Sequence, residues 1–79
     1  MRFNSNLRIK LTLERYEKLW REQTLHFYFY QFRMNFEKVS GLLETSIKRR
    51  LVGGHYTYLY YFKVVDKQKY LLAKIKYGI

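Results

Sequence analysis

For forty residues this chain offers nothing that would break a helix. From Met1 to Ser40 there is neither glycine nor proline, the two residues that most often end one. Leu7, Leu11, Glu14/Arg15, Leu19 and Gln23 fall on one helical stripe, and Leu13, Tyr16, Trp20 and Phe27 on an adjacent one. Glu14–Lys18 and Glu17–Arg21 place opposite charges one turn apart, each pair worth about 0.2–0.5 kcal/mol in a helix. With Ser5 or Asn6 as its cap, the spacing predicts a helix from about Asn6 to Thr24. Leu25 to Phe32 is strand-like by propensity. Phe29, Phe32 and Phe36 sit at i, i+3 and i+7, however, which predicts a second helix over about His26 to Val39, stopped by Gly41.

The remainder is less regular. Gly41 to Thr57 reads as a basic connector without clear periodicity, and Gly53-Gly54 marks a sharp turn or a close backbone approach. From Tyr56 to Val65 rings alternate with Thr57, Leu59, Tyr61 and Lys63, which permits a strand, although a single hairpin arm is weak by itself. Asp66 suits the cap of a last helix over about Lys67 to Lys76, with Tyr70, Leu71, Leu72 and Ile75 apolar. The fold class expected is mainly α: a small, extended helical protein with a basic, glycine-containing loop and little autonomous core. A single domain is expected, with a helical segment over 1–45 and a basic segment over 46–79.

Length supports that expectation. A chain of 79 residues buries only about 60% of its unfolded surface. It has no cysteine, so disulfides and Cys-type zinc sites are excluded. His26 and His55 are far apart, and His26, within an apolar run, reads as a packed side chain. No metal or other cofactor is implied. Nine tyrosines and six phenylalanines exceed what a small dry core holds, because buried tyrosines need partners for their hydroxyls. Many rings are therefore expected to meet something outside the chain.

Charge points to the kind of partner. Sixteen Lys/Arg stand against six acids, a formal net charge of +10, which favours polyanions. Residues 1–45 carry eight basic and five acidic groups; residues 46–79 carry eight basic groups and only Asp66. The stretch Ile47 to Phe62 combines the cations Lys48-Arg49-Arg50, the step Gly53-Gly54, His55 and a run of rings. Cations neutralise phosphates, glycines allow close backbone approach, and flat rings stack on unpaired bases. Together they suggest a surface for RNA. His55 fits an RNA contact and an ordinary turn equally. The rings Tyr56 to Phe62 fit a core strand, a stacking platform or codon drift.

Other classes fare less well. There is no Ser/His/Asp or Cys/His set and no spaced-glycine phosphate loop, so an enzyme is not expected. The longest uncharged runs, Gln23–Phe32 and Leu51–Phe62, fall short of the roughly 20 residues of a spanning helix. The first thirteen residues are basic and acid-free, in the manner of a mitochondrial presequence, but run unbroken into the helical pattern and read as mature protein. Absent proline, a single alanine and four glycines, types with GC-rich codons, beside many Phe, Tyr and Lys, types with AT-rich codons, suggest an AT-rich genome such as that of an organelle.

The order Arg50-Leu51-Val52-Gly53-Gly54-His55, then Tyr58-Leu59, Phe62, Val64, Tyr70, Leu72-Ala73 and Gly78-Ile79 resembles the C-terminal half of the small-subunit ribosomal protein S-fourteen family (universal uS-fourteen), in its zinc-free organellar branch. Arg8 to Glu22 is compatible with that family's basic, Glu-rich first helix; the specific part is residues 48–73. Gly54 and Tyr56 stand where the family has arginines, Thr57 and Lys63 where it has glycines, and Asp66 where an arginine is usual. The resemblance implies a structural constituent of the mitochondrial small subunit, bound to small-subunit rRNA near the decoding region and beside other head proteins. It implies that Lys48 and Arg50 hold phosphates, that Gly53 permits close approach to the rRNA, and that His55 and Tyr58 touch RNA or brace the loop. The full expected RNA-binding set is Lys48, Arg49, Arg50, Gly53, His55, Tyr58, Lys63 and Lys67. Trp20, Phe29, Phe32 and Phe36 are expected to face neighbouring proteins or the small core. The alternatives are an aromatic-rich accessory subunit of an organellar membrane complex, and a small DNA-binding protein of a virus or mobile element.

Overall fold

A computed structural model describes residues 8–23 and 28–79. The elements are β1 (Arg8–Thr12), α1 (Leu13–Gln23), α2 (Phe29–Ser40), β2 (Leu42–Val52), β3 (His55–Val64) and α3 (Lys67–Tyr77). The three strands form one antiparallel sheet in the order β1-β3-β2. The expected mainly α, extended fold is thus corrected: this is an α+β domain with a core of its own.

The first helix starts seven residues later than its stripe suggested. Arg8 to Thr12 also alternates, with Ile9 and Leu11 inward and Arg8, Lys10 and Thr12 exposed. Pairing with β3, from Arg8↔Lys63 to Thr12↔Leu59, decides in favour of the strand. Thr12 ends it and caps α1, its hydroxyl accepting from the Arg15 amide at 3.2 Å. The expected caps Ser5 and Asn6, like His26, lie outside the described residues. The second helix runs from Phe29 to Ser40, and Gly41 closes it at φ 69° with its amide bonded to the Glu37 carbonyl at 2.8 Å, as the glycine predicted.

The expected connector is also corrected. Residues 42–52 form β2, which pairs with β3 from Leu42↔Val64 to Val52↔His55. Gly53 and Gly54, at φ 57° and 82°, make the two-residue turn in which both central residues need positive φ. The predicted strand and last helix are present, and Asp66 accepts from the Lys69 amide at 3.1 Å.

The helices cover one sheet face. Tyr16 of α1 is fully buried. Its ring lies 5.0 Å from Phe36, 5.0 Å from Tyr60, 5.2 Å from Phe29, 5.3 Å from Phe62 and 5.7 Å from Phe32, largely edge-on, the geometry that ring quadrupoles favour. Leu11, Leu19, Leu42, Val64 and Tyr70 complete this core. The surplus of rings is therefore partly the interior itself. Phe32 and Phe36 belong to it, and Phe29 and Trp20 pack against it.

Gly41 locks α2 to α3. Its carbonyl accepts from the Val65 and Asp66 amides at 2.9 and 3.2 Å. A Cβ here would collide with the Asp66 carbonyl oxygen and lie 3.0 Å from Lys69 Cβ and Tyr70 N. Gly41→Ala is expected to cost about 3 kcal/mol, from the left-handed backbone and the overpacking combined. Urea denaturation measures it; a loss below about 1 kcal/mol would mean that α3 shifts freely.

Candidate nucleic-acid interface

The pleat sorts the side chains of the sheet. Tyr60, Phe62 and Val64 of β3 are buried beneath the helices, so His55, Thr57, Leu59, Tyr61 and Lys63 point to the opposite, open face. The register adds Arg8, Lys10 and Thr12 from β1 to that face. From β2 it adds Leu43, Ser46, Lys48, Arg50 and Val52. Five cations therefore share one surface: Arg8, Lys10, Lys48, Arg50 and Lys63. No acid lies on the strands of this face; Glu14, at the start of α1, reaches its edge, where it lines a cleft with Arg50, Thr57 and Leu59. Glu14, Glu17 and Glu22 are on α1, Glu37 is on α2, Asp66 caps α3, and Glu44 faces the helices.

A bulge determines which cations take part. The β2–β3 register slips between Glu44 and Ser46, leaving Thr45 unpaired in the ladder, its hydroxyl donating to the Tyr61 carbonyl at 3.1 Å. Were Thr45 paired in a regular ladder, Lys48 and Arg50 would turn to the helix side. With the slip they face outward, and Ile47, Arg49 and Leu51 face the other way.

Glu44 is the one acid turned toward the core, and it is fully engaged. Arg33 grips it with both ends of its guanidinium, Nη2 on Oε1 and Nε on Oε2 at 3.1 Å. The Tyr16 hydroxyl donates to Oε2 at 3.3 Å. The hydrogen bond to Glu44 above all raises the Arg33 pKa above its ordinary value. The Arg33 guanidinium also lies 5.0 Å from the Tyr60 ring centroid.

Of the residues expected to hold RNA, Lys48, Arg50, His55 and Lys63 come together on the open face, and Gly53 forms the turn at its tip. Arg49 and Tyr58 do not; they are paired on the helix-side face, where Arg49 also stands 4.4 Å from the Tyr56 ring centroid. Lys67 opens α3 in the helix layer. Sequence reasoning missed Arg8 and Lys10, because a helical reading of that segment hid the alternation that exposes them. The aromatic run divides as well. Tyr60 and Phe62 are core, Tyr56 and Tyr58 lie on the helix-side face, and Tyr61 alone of the run's rings lies on the open one. It is half-buried, with Lys48 Nζ 5.1 Å from its centroid.

No family model matches the chain, and neither a curated protein nor a solved structure matches it. Among the described residues no helix is long and apolar enough to cross a membrane.

Proposed function

We propose that this protein is a nucleic-acid-binding domain that lays the open face of its sheet on a double helix, with duplex DNA as the best-fitting ligand. The observation that carries the reading is the segregation of charge: five cations and no acid among the strand residues of one sheet face, with Glu14 at its margin. Lys63, Tyr61, Leu59 and Thr57 mark successive rows along β3, so the cations from Lys63 to Arg50 span about 20 Å. The outer half of the β2–β3 hairpin is a two-stranded ribbon. The major groove of B-form DNA, about 12 Å wide, admits such a ribbon. The corresponding groove of A-form RNA is too deep and narrow for side chains to read. On the cationic face Tyr61 is the one ring of the run available for base stacking, and it is half-buried; the exposed Tyr56 and Tyr58 stand on the opposite face. The reading is one of binding, not of catalysis.

Small-subunit rRNA in a mitochondrial ribosome is the second reading, supported by the residue order from Arg50 to Ala73. One titration separates the two. Affinities for a 20-bp duplex, its single strand and a folded head-domain rRNA fragment are measured against salt. The duplex is expected to bind tightest, with a log–log slope of about −4.5 for five phosphate contacts. Tighter binding of the rRNA fragment would replace the first reading with the second. Affinity indifferent to salt would end both.

A further inference from the structure

Helix α3 has a second apolar face that the fold leaves uncovered. Tyr70 and Ala73 are buried and Tyr77 is half-buried, which fixes the core side. At 3.6 residues per turn, Gln68 and Ile75 stand directly opposite, with Leu71 on one flank and Leu72 on the other. Leu71, Leu72 and Ile75 are 47%, 69% and 84% exposed. Lysines border this stripe on both sides: Lys67 and Lys74 beyond Leu71, Lys69 and Lys76 beyond Leu72. The helix itself contains no acid.

We propose that this stripe docks an amphipathic helix of a partner protein whose own apolar seam is edged by Asp and Glu. Three features select that occupant. The first is charge: lysines on both borders repel a second copy of α3 and attract carboxylates, as flanking positions do in paired helices. The second is width: Leu71, Leu72 and Ile75 make a narrow seam of the kind that meets another helix, not the broad apolar arc of a membrane-surface helix. The third is Gln68 at its centre. A facing helix can offer that amide a hydrogen bond, whereas an acyl chain leaves it unsatisfied. Such a polar group within an apolar seam also sets the register of a helix pair.

The test uses the full chain and two synthetic 21-residue helices with the same Leu/Ile seam, one bordered by Glu and one by Lys. Binding is followed by fluorescence anisotropy. The Glu-bordered helix is expected to bind at least tenfold tighter than the Lys-bordered one. The double variant Leu72→Asp/Ile75→Asp, at exposed positions, should retain the parent circular dichroism and its duplex affinity within twofold, yet lose at least tenfold toward the Glu-bordered helix. Replacing Lys67, Lys69, Lys74 and Lys76 by Glu should invert the preference. The proposal is overturned if neither helix binds, if the two bind alike, or if the double variant binds as the parent does. The last result would assign the attraction to the sheet face. Anionic vesicles held through Leu72 and Ile75, or a dimer of the chain abolished by the double variant in sedimentation equilibrium, would overturn it equally.

Discussion

Tyr16→Ala is expected to remove about 4 kcal/mol of stability, a large part of the roughly 5–15 kcal/mol that holds small domains together. Tyr16 is the hub of the interior: five rings from α2 and β3 surround it within 5.7 Å. Truncation leaves a cavity lined by rings of α2 and β3 and by Glu44 of β2, so no single element can close it. Tyr16→Phe should cost only about 1 kcal/mol, because every ring contact stays and Glu44 keeps its two bonds to Arg33. Urea denaturation followed by near-ultraviolet circular dichroism separates the two variants. Equal losses would mean that the hydroxyl, not the ring, anchors the core.

The same residue makes the fold sensitive to alkali. Burial first, and the Glu44 carboxylate second, hold the Tyr16 phenol far above its ordinary pKa. Burial also raises Tyr60 and Tyr70. A folded-state pKa that is raised favours the protonated form, so its contribution is complete below the unfolded value of about 10 and is lost as pH rises beyond it. Stability should therefore fall above about pH 10, and Tyr16→Phe should fall less steeply than the parent. An identical alkaline profile in the two proteins would remove Tyr16 from this account.

The triple replacement Lys48→Ala/Arg50→Ala/Lys63→Ala should weaken duplex binding roughly 100-fold near 0.15 M salt and make the log–log salt slope shallower by about 2.7. Arg49→Ala is the decisive companion. Arg49 is flanked in the chain by Lys48 and Arg50 and carries the same charge as both. The pleat turns it to the helix side, over Tyr56, so its loss should leave the slope nearly unchanged. Arg50→Ala alone should shift it by about 0.9. If the two single variants shift the slope equally, the nucleic acid does not lie on the open face.

How much of this was legible in the residues depends on how local each signal is. The turn at Gly53-Gly54, the stop at Gly41, the Asp66 cap and the alternation of β3 are local, and each is present as predicted. β1 was hidden because Arg8 to Thr12 has five residues, too few to separate a period of 2 from one of 3.6. The cap that settles the matter, Thr12, looked like any residue within a helix. β2 was hidden for a different reason. From Ile47 to Val52 both of its faces are exposed, so no contrast between inside and outside was written into its sequence. The tyrosines misled in a third way. Their number pointed to outside partners, yet Tyr16, Tyr60 and Tyr70 are buried in the core, with Glu44 and the Ile79 carbonyl taking hydroxyls of Tyr16 and Tyr70 at 3.3 Å each.

From its amino acids alone the chain settles its excess of positive charge, its turns and its helix caps, since each depends on composition or on neighbours a few positions apart. Which cations stand together is a tertiary matter. It follows from β3 pairing with β1 on one side and β2 on the other, and from the one-residue slip at Thr45 that reverses the facing of everything beyond it. Strand pairing between residues as distant as Lys10 and Tyr61 sets that arrangement, and no local pattern encodes it.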